Sequence, residues 1–204
     1  MEAQLAKVDL PYDRFKAISP SKESLTEKEG EYYSFYLRAL DRIKAYVSSE
    51  QKLSRGLGVF GCYLSHYFIH RRALEENWGN YLILEDDCQL NRGWLEKLNQ
   101  YLSQGKIPID WDIIRSCLNS TDRVKKLKRC NSQSKFAAKL INTRYSGGTY
   151  FQLCKSSSCQ KIIDYLESDF VYNIDAVYST NRLNVYHSKL CISHGDFGTD
   201  IPKL

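Results

Sequence analysis

Three consecutive acids, Glu85-Asp86-Asp87, close the apolar run Tyr81-Leu82-Ile83-Leu84. Adjacent like charges beside a buried strand repel, and a cation, a basic neighbour or full solvation relieves the repulsion. In an extended segment Glu85 and Asp87 point to one side and Asp86 to the other. Such an i, i+2 carboxylate pair can chelate one ion, and an all-oxygen environment suits Mg2+ or Mn2+. A cation held there can grip a pyrophosphate and help it leave. The competing reading is a polar turn that caps the next helix.

Other residues with chemical potential are scattered along the chain. His66 and His70 share a helix face, but Tyr67 stands where a zinc protease would place its Glu after the first His. That activity is excluded, and by pattern alone both histidines read as structural. Gly56, Gly58 and Gly61 precede a helical run from Tyr63 to about Asn77. A glycine-rich helix entry exposes backbone N–H groups where phosphate binds, although a plain turn of small residues has the same composition. The GxGxxG string follows a polar stretch rather than a strand, so it fails as a dinucleotide fingerprint. Neither a P-loop nor a GxSxG elbow occurs. Arg123, Lys125, Lys126, Lys128 and Arg129 crowd one polar stretch. A solvated loop explains them, and so does a contact with anionic lipid or nucleic acid.

The elements that must position these residues follow from periodicity. A short helix and a strand at Phe15–Ile18 are expected within residues 1–20, then a polar loop to residue 30. Helical spacing runs from Glu31 to Val47, from Tyr63 to about Asn77, from Arg92 to Tyr101, and from Ser156 to Leu166. Tyr81–Leu84 reads as a strand buried on both faces. Further strands are expected at Trp111–Ile114, Phe136–Ile141, Tyr150–Leu153 and Leu183–Tyr186, ahead of an irregular tail carrying His194, Asp196 and Asp200. Helix–strand alternation predicts one α/β domain over residues 1–204, with a mostly parallel central sheet and flanking helices. In such sheets ligands gather at the carboxyl ends of strands, where the acid triplet lies.

Composition narrows the function classes. The net charge of +5 permits anionic partners and demands none, and no nucleic acid is expected. Seven cysteines, none in a CxxC pair, argue against a disulfide framework or a zinc ribbon and for a reducing cytosol. The opening residues lack an apolar core like that of a signal peptide, and no apolar run is long enough to span a bilayer. Any membrane contact is expected to be peripheral. The 15 tyrosines suit a sugar- or base-binding pocket, but a core paved with aromatics uses them equally.

Taken together, Gly61-Cys62-Tyr63-Leu64-Ser65-His66 and Leu82-Ile83-Leu84-Glu85-Asp86-Asp87 resemble the paired signatures of glycosyltransferase family 25, the lipooligosaccharide galactosyltransferase family. Weaker similarity continues through Trp111-Asp112-Ile113-Ile114 and Gly148-Thr149 to Asp175. The resemblance implies a GT-A-like fold, a UDP-sugar donor (galactose most often), a lipooligosaccharide or other glycan acceptor, inversion at the anomeric carbon and Mn2+ or Mg2+ as cofactor. It makes Glu85 and Asp87 metal ligands, with His194 as a third. Asp86, Gly61, Ser65 and His66 would serve the donor, and Gly148 and Thr149 the acceptor. Asp175 becomes the candidate catalytic base, its alternative being a helix cap.

Two departures stand out. Family members open on an apolar strand ending in an Asn-Leu-Asp-Arg-like segment. Here Gln4-Leu5 to Ile18 resembles the segment next to that strand on its C-terminal side, so the expected sheet lacks its usual first strand. Val59 stands where the family carries Glu. A bare sheet edge invites a partner subunit, so a homo-oligomer is compatible. The leading expectation is a metal-dependent galactosyltransferase, cytoplasmic and peripheral at the inner membrane. The alternatives are a degenerate member that binds a glycan or partner without turnover, and a protein held to nucleic acid or anionic lipid by residues 123–129.

Overall fold

The computed structural model describes residues 5–6, 11–21, 30, 32–44, 50–90, 92–105, 107–117, 137–139, 149–168, 173–178, 182–191 and 193–194. Helix α1 spans Tyr33–Lys44, and α2 spans Glu50–Glu75. Strand β1 is Tyr81–Leu84, β2 Cys88–Gln89 and helix α3 Trp94–Ser103. Then come β3 (Ile113–Cys117), β4 (Ala137–Lys139) and β5 (Phe151–Cys154). A 3-10 turn at Ser156–Ser158 leads into α4, Cys159–Ser168. The short α5 (Ile174–Val177), β6 (Val185–Cys191) and β7 (Ser193–His194) complete the described chain.

The main sheet has the order β1-β5-β3-β6-β4 and is mixed. Among the described strands only β3–β6 is a parallel pair; β1–β5, β3–β5 and β4–β6 are antiparallel. A mostly parallel sheet was the expectation, and the reason for the difference is adjacency. Strands β1, β3 and β6 do run the same way, as helix–strand alternation requires, but β5 inserts between β1 and β3 in the opposite sense. Alternation along each strand feeds two cores. Ile83, Ile113 and Val185 pack with Phe60, Tyr63 and Leu64 of α2 and Ile162, Ile163 and Leu166 of α4. Ile114, Phe151, Leu153 and Tyr186 face the other way, against Trp94 and Leu98 of α3. Helices thus cover both faces of the described sheet, an α/β arrangement.

Two local expectations are corrected. The glycines do not open a helix: Gly56, Gly58 and Gly61 lie inside α2, which starts at Glu50. Their N–H groups belong to a continuing helix, so no phosphate cradle forms there. Gly61 instead makes room for a neighbour, since a Cβ on it would stand 2.3 Å from Ile18 O and 2.9 Å from Pro20 Cδ. The segment 11–20 is neither helix nor strand. It crosses α2, where the Ile18 N–H donates to Ser65 Oγ (2.9 Å), and Ser65 in turn donates to Gly61 O (2.8 Å). Phe15–Ile18 is therefore an extended strap pinned by a helix, not a member of the sheet.

The tail departs from expectation too. Strand β6 continues to Cys191, and β7 pairs antiparallel with β2, setting His194 opposite Cys88. Among the described residues no helix is long and apolar enough to cross a membrane. The 123–129 cations, Gly148, Asp196 and Asp200 lie outside the described residues, as does most of the chain before residue 11.

Candidate functional site

Glu85 is the first residue beyond β1, and its N–H donates to Tyr150 O (3.0 Å), which ties the strand end to β5. Its Oε1 accepts from His66 Nε2 at 3.1 Å and from the Thr149 hydroxyl. His66 reaches it from the middle of α2, and Thr149 from just before β5. Gln152, on β5, places its Nε2 3.2 Å from His66 Nδ1 and donates to Thr149 O at 3.0 Å. The set is self-consistent if His66 carries its proton on Nε2 and accepts at Nδ1. Burial pushes the Glu85 carboxyl up, but the His66 and Thr149 hydrogen bonds and the charge of Arg115 outweigh it, and the net direction is down. Glu85 is thus an anion fixed by two donors rather than a capping acid turned to solvent.

Cys62 lies one helical turn before His66. Its thiol hydrogen-bonds with Thr149, and it is pushed up by burial and then by the negative charges of Glu85, Asp175 and Asp87. Cys62, His66 and Glu85 each offer a ligand atom within 4.8 Å of the others, and among the described residues no other such trio occurs. The acid triplet is therefore not a single cluster: Asp86 is exposed, Asp87 is half-buried and Glu85 turns toward α2. The β2–β7 pairing brings the backbone of His194 beside Cys88, the residue after Asp87.

The sheet carries a second polar feature that sequence reasoning missed. Gln152, Arg115 and His187 lie in one row across β5, β3 and β6, beside Ile83 of β1. All three are buried, and Arg115 wholly so. Arg115 Nη2 donates to Asp175 Oδ1 at 2.8 Å, and its guanidinium lies over the Tyr178 ring (5.8 Å). A buried polar residue inside an apolar strand is the informative kind. Ile113-Ile114-Arg115 and Tyr150-Phe151-Gln152-Leu153 each contain one, which was the available signal.

The expected site residues thus divide. Glu85, His66 and Thr149 meet directly. Asp175 and Asp87 come near enough for their charges to reach Cys62, as that of Glu85 does. Asp175 lies in the first turn of α5, and its N–H is capped by Asn173 Oδ1 (2.9 Å), so the capping residue is Asn173. Gly61 and Ser65 serve the strap; Ser65 immediately precedes His66, and Gly61 lies more than a helical turn before it. His70 is structural, wholly buried between the hydroxyls of Tyr81 (2.6 Å) and Tyr178 (2.8 Å). Burial first, and then the neighbouring His66, lowers it to about 3. Asp112 is structural as well, bonding Ser158, Lys161 and the Asn184 N–H to lock the far ends of β3 and β6.

Residues 1–178 match the family model described as glycosyltransferase family 25 (LPS biosynthesis protein). The chain belongs to glycosyltransferase family 25. One curated family member, from Aedes aegypti and named "Glycosyltransferase 25 family member", is 29% identical over 72 residues. That stretch is 35% of this chain and 12% of the relative, so the chain corresponds to a small part of that protein. For a family 25 chain, the Cys62–His66 helix turn and the Glu85–Asp87 strand end are the two motifs that the fold brings together.

Proposed function

We propose that this chain transfers a sugar, galactose as the family resemblance implies, from a UDP-sugar donor to a lipooligosaccharide or other glycan acceptor. The reading includes a GT-A-type site, inversion at the anomeric carbon, and work as a peripheral protein at the cytoplasmic membrane face. The observation that carries it is the convergence of His66 and Thr149 on Glu85 at the carboxyl end of β1, beside Asp87 and the Arg115–Asp175 pair. Strand ends of α/β sheets are where ligands collect.

The chemistry of the acids supports a hard divalent cation as cofactor. Asp87 and the second oxygen of Glu85 are carboxylate ligands of the kind Mn2+ and Mg2+ take, and the His194 backbone pairs with Cys88, the residue after Asp87. Such an ion supplies charge neutralisation for a departing diphosphate. The chain's own residues do the rest. His66 and Thr149 fix the Glu85 carboxylate before donor arrives, which lowers the reorganisation needed at the reacting centre. Asp175, partly exposed and oriented by Arg115, accepts the proton of the acceptor hydroxyl. The freed oxygen attacks the anomeric carbon, and the sugar–phosphate bond breaks with its electron pair on the diphosphate.

Thermal unfolding with UDP, with and without Mn2+, tests the reading. A ligand that binds only the native state stabilises it by about 2.7 kcal/mol at a hundredfold excess over Kd. A Mn2+-dependent rise in Tm that EDTA removes and Asp87→Asn abolishes is expected. An intact fold with no response to any nucleotide would sink the proposal and leave a non-catalytic binding module.

A further inference from the structure

We propose that Cys62, His66 and Glu85 form a binding site for a borderline-soft divalent transition-metal ion, with Zn2+ as its type. This ion and this ligand set differ from the Mn2+ or Mg2+ of the transferase reading, and the proposal goes beyond that reading.

The donor chemistry selects the ion. A thiolate, an imidazole and a carboxylate are three Zn2+ ligands, and three protein ligands with a fourth position open is a familiar Zn2+ arrangement. Mn2+ and Mg2+ prefer oxygen and gain little from a thiol. The elements are rigid: Cys62 and His66 are i, i+4 on α2 and share a face, and Glu85 is tied by its N–H to Tyr150 O. The ligand atoms lie within 4.8 Å of one another. Bond lengths of about 2.0–2.3 Å imply ligand separations of roughly 3.3–3.8 Å, so closure needs a contraction on the order of 1 Å. Cys62 is only partly buried and the Glu85 side chain is 27% exposed, while His66 is buried at 3%, so an ion would enter from the Cys62 and Glu85 side.

An independent observation comes from Gln152. It is wholly buried, it adjoins His66, and its Oε1 has no hydrogen-bond partner among the described residues. Buried amide oxygens are rarely left so. If His66 gives Nε2 to a metal, its ring proton must sit on Nδ1. A half-turn of the Gln152 amide then presents Oε1 to that N–H, so the oxygen gains a donor while Nε2 gives up its bond to Thr149 O. Ligating histidines characteristically have such an outer partner, and Thr149 plays the same part for Glu85. The balance is simple. The ring proton moves from Nε2 to Nδ1, the Cys62 S–H proton leaves to buffer as the S–Zn bond forms, and no group is oxidised or reduced.

Titration of the reduced chain with Co2+, a spectroscopic stand-in for Zn2+, is the test. One ion per chain, a near-ultraviolet sulfur-to-cobalt band, and displacement by Zn2+ but not by equimolar Mn2+ are expected. Cys62→Ser should lose the band, and Gln152→Ala should weaken binding about 10–100-fold. Absence of the band, or its persistence in Cys62→Ser, overturns the proposal. Should Cys62→Ser not fold, alkylation of the native wild-type chain decides: Zn2+ should protect Cys62 from iodoacetamide, and equal labelling with and without Zn2+ overturns the site. A chain that answers to UDP and Mn2+ but shows no Cys62-dependent band overturns this inference alone. A chain with the band and no nucleotide response overturns the transferase reading alone.

Discussion

Arg115 Nη2 lies 2.8 Å from Asp175 Oδ1, joining a wholly buried cation on β3 to a partly exposed carboxylate on α5. The pair connects the floor of the candidate site to the residue best placed to take a proton. Removing one member of a buried pair strands the other, and the two members should differ in what they cost. Arg115→Met is expected to destabilise by about 3 kcal/mol, read from urea midpoints. Asp175→Asn keeps an acceptor for the guanidinium and should cost about 1 kcal/mol, while lowering kcat by roughly 10^2–10^4-fold. Equal loss of stability in both variants, or full turnover in Asp175→Asn, would remove Asp175 as the base.

Thr149 is the simplest probe of Glu85. Thr149→Val keeps the shape and deletes the hydroxyl donor, at an expected cost of about 1–3 kcal/mol at neutral pH. Thr149→Ser should restore most of it. The sign with pH comes from the depressed Glu85 carboxyl. Its stabilisation is complete above the unfolded-state value and is lost as pH falls through the folded value. The gap between wild type and Thr149→Val should therefore narrow in acid, which denaturant midpoints at pH 7 and pH 3 would show.

His70 gives acid sensitivity of its own. Its ordinary value of 6.5 falls to about 3 in the fold, so the unfolded chain binds a proton that the native chain refuses. Stability from this group is whole above pH 6.5 and declines as pH drops toward 3, by an amount of order a few kcal/mol. His70→Gln retains a hydrogen-bonding side chain between Tyr81 and Tyr178 and has no proton to gain. Unfolding midpoints should fall less steeply over that window than in wild type, and an unchanged slope would contradict the assignment.

The strap over α2 predicts an inversion of helix propensity. Ala for Gly inside a helix normally stabilises by about 1 kcal/mol. Gly61→Ala should instead destabilise, because its methyl group would meet Ile18 O at 2.3 Å. Ser65→Ala, which takes away the acceptor for the Ile18 N–H, should expose residues 11–20 to limited proteolysis. Gly79→Ala meets nothing within 4 Å and should leave the proteolysis pattern unchanged.

Local pattern made most elements legible. The strand at Tyr81–Leu84, the helices near Tyr33–Lys44, Trp94–Ser103 and Cys159–Ser168, and the strand at Phe151–Cys154 all lie where hydrophobic spacing places them. Boundaries drifted where tertiary contacts overrode propensity. Helix α2 runs through three glycines because its buried face packs on the sheet and on α4. Phe15–Ile18 alternates like a strand, but its partner is Ser65 on a helix. The common direction of β1, β3 and β6 was readable, but the opposite direction of β5 and β4 and the order of the strands were not, since the insertion of β5 between β1 and β3 is a choice between long-range pairings.

The sequence by itself determined the family and the two motifs, for both are short runs of consecutive residues whose identities need no fold to be seen. It also put the acids at the end of β1, because an apolar run and the turn after it are local facts. Only the tertiary structure decided what Glu85-Asp86-Asp87 became. Residues 19 and 64 positions away, His66 and Thr149, claim Glu85, Asp86 faces solvent, and a strand from the tail lies beside Cys88. Three like charges in a row look equivalent on paper, and long-range hydrogen bonds and burial, which no local spacing encodes, give each a different environment.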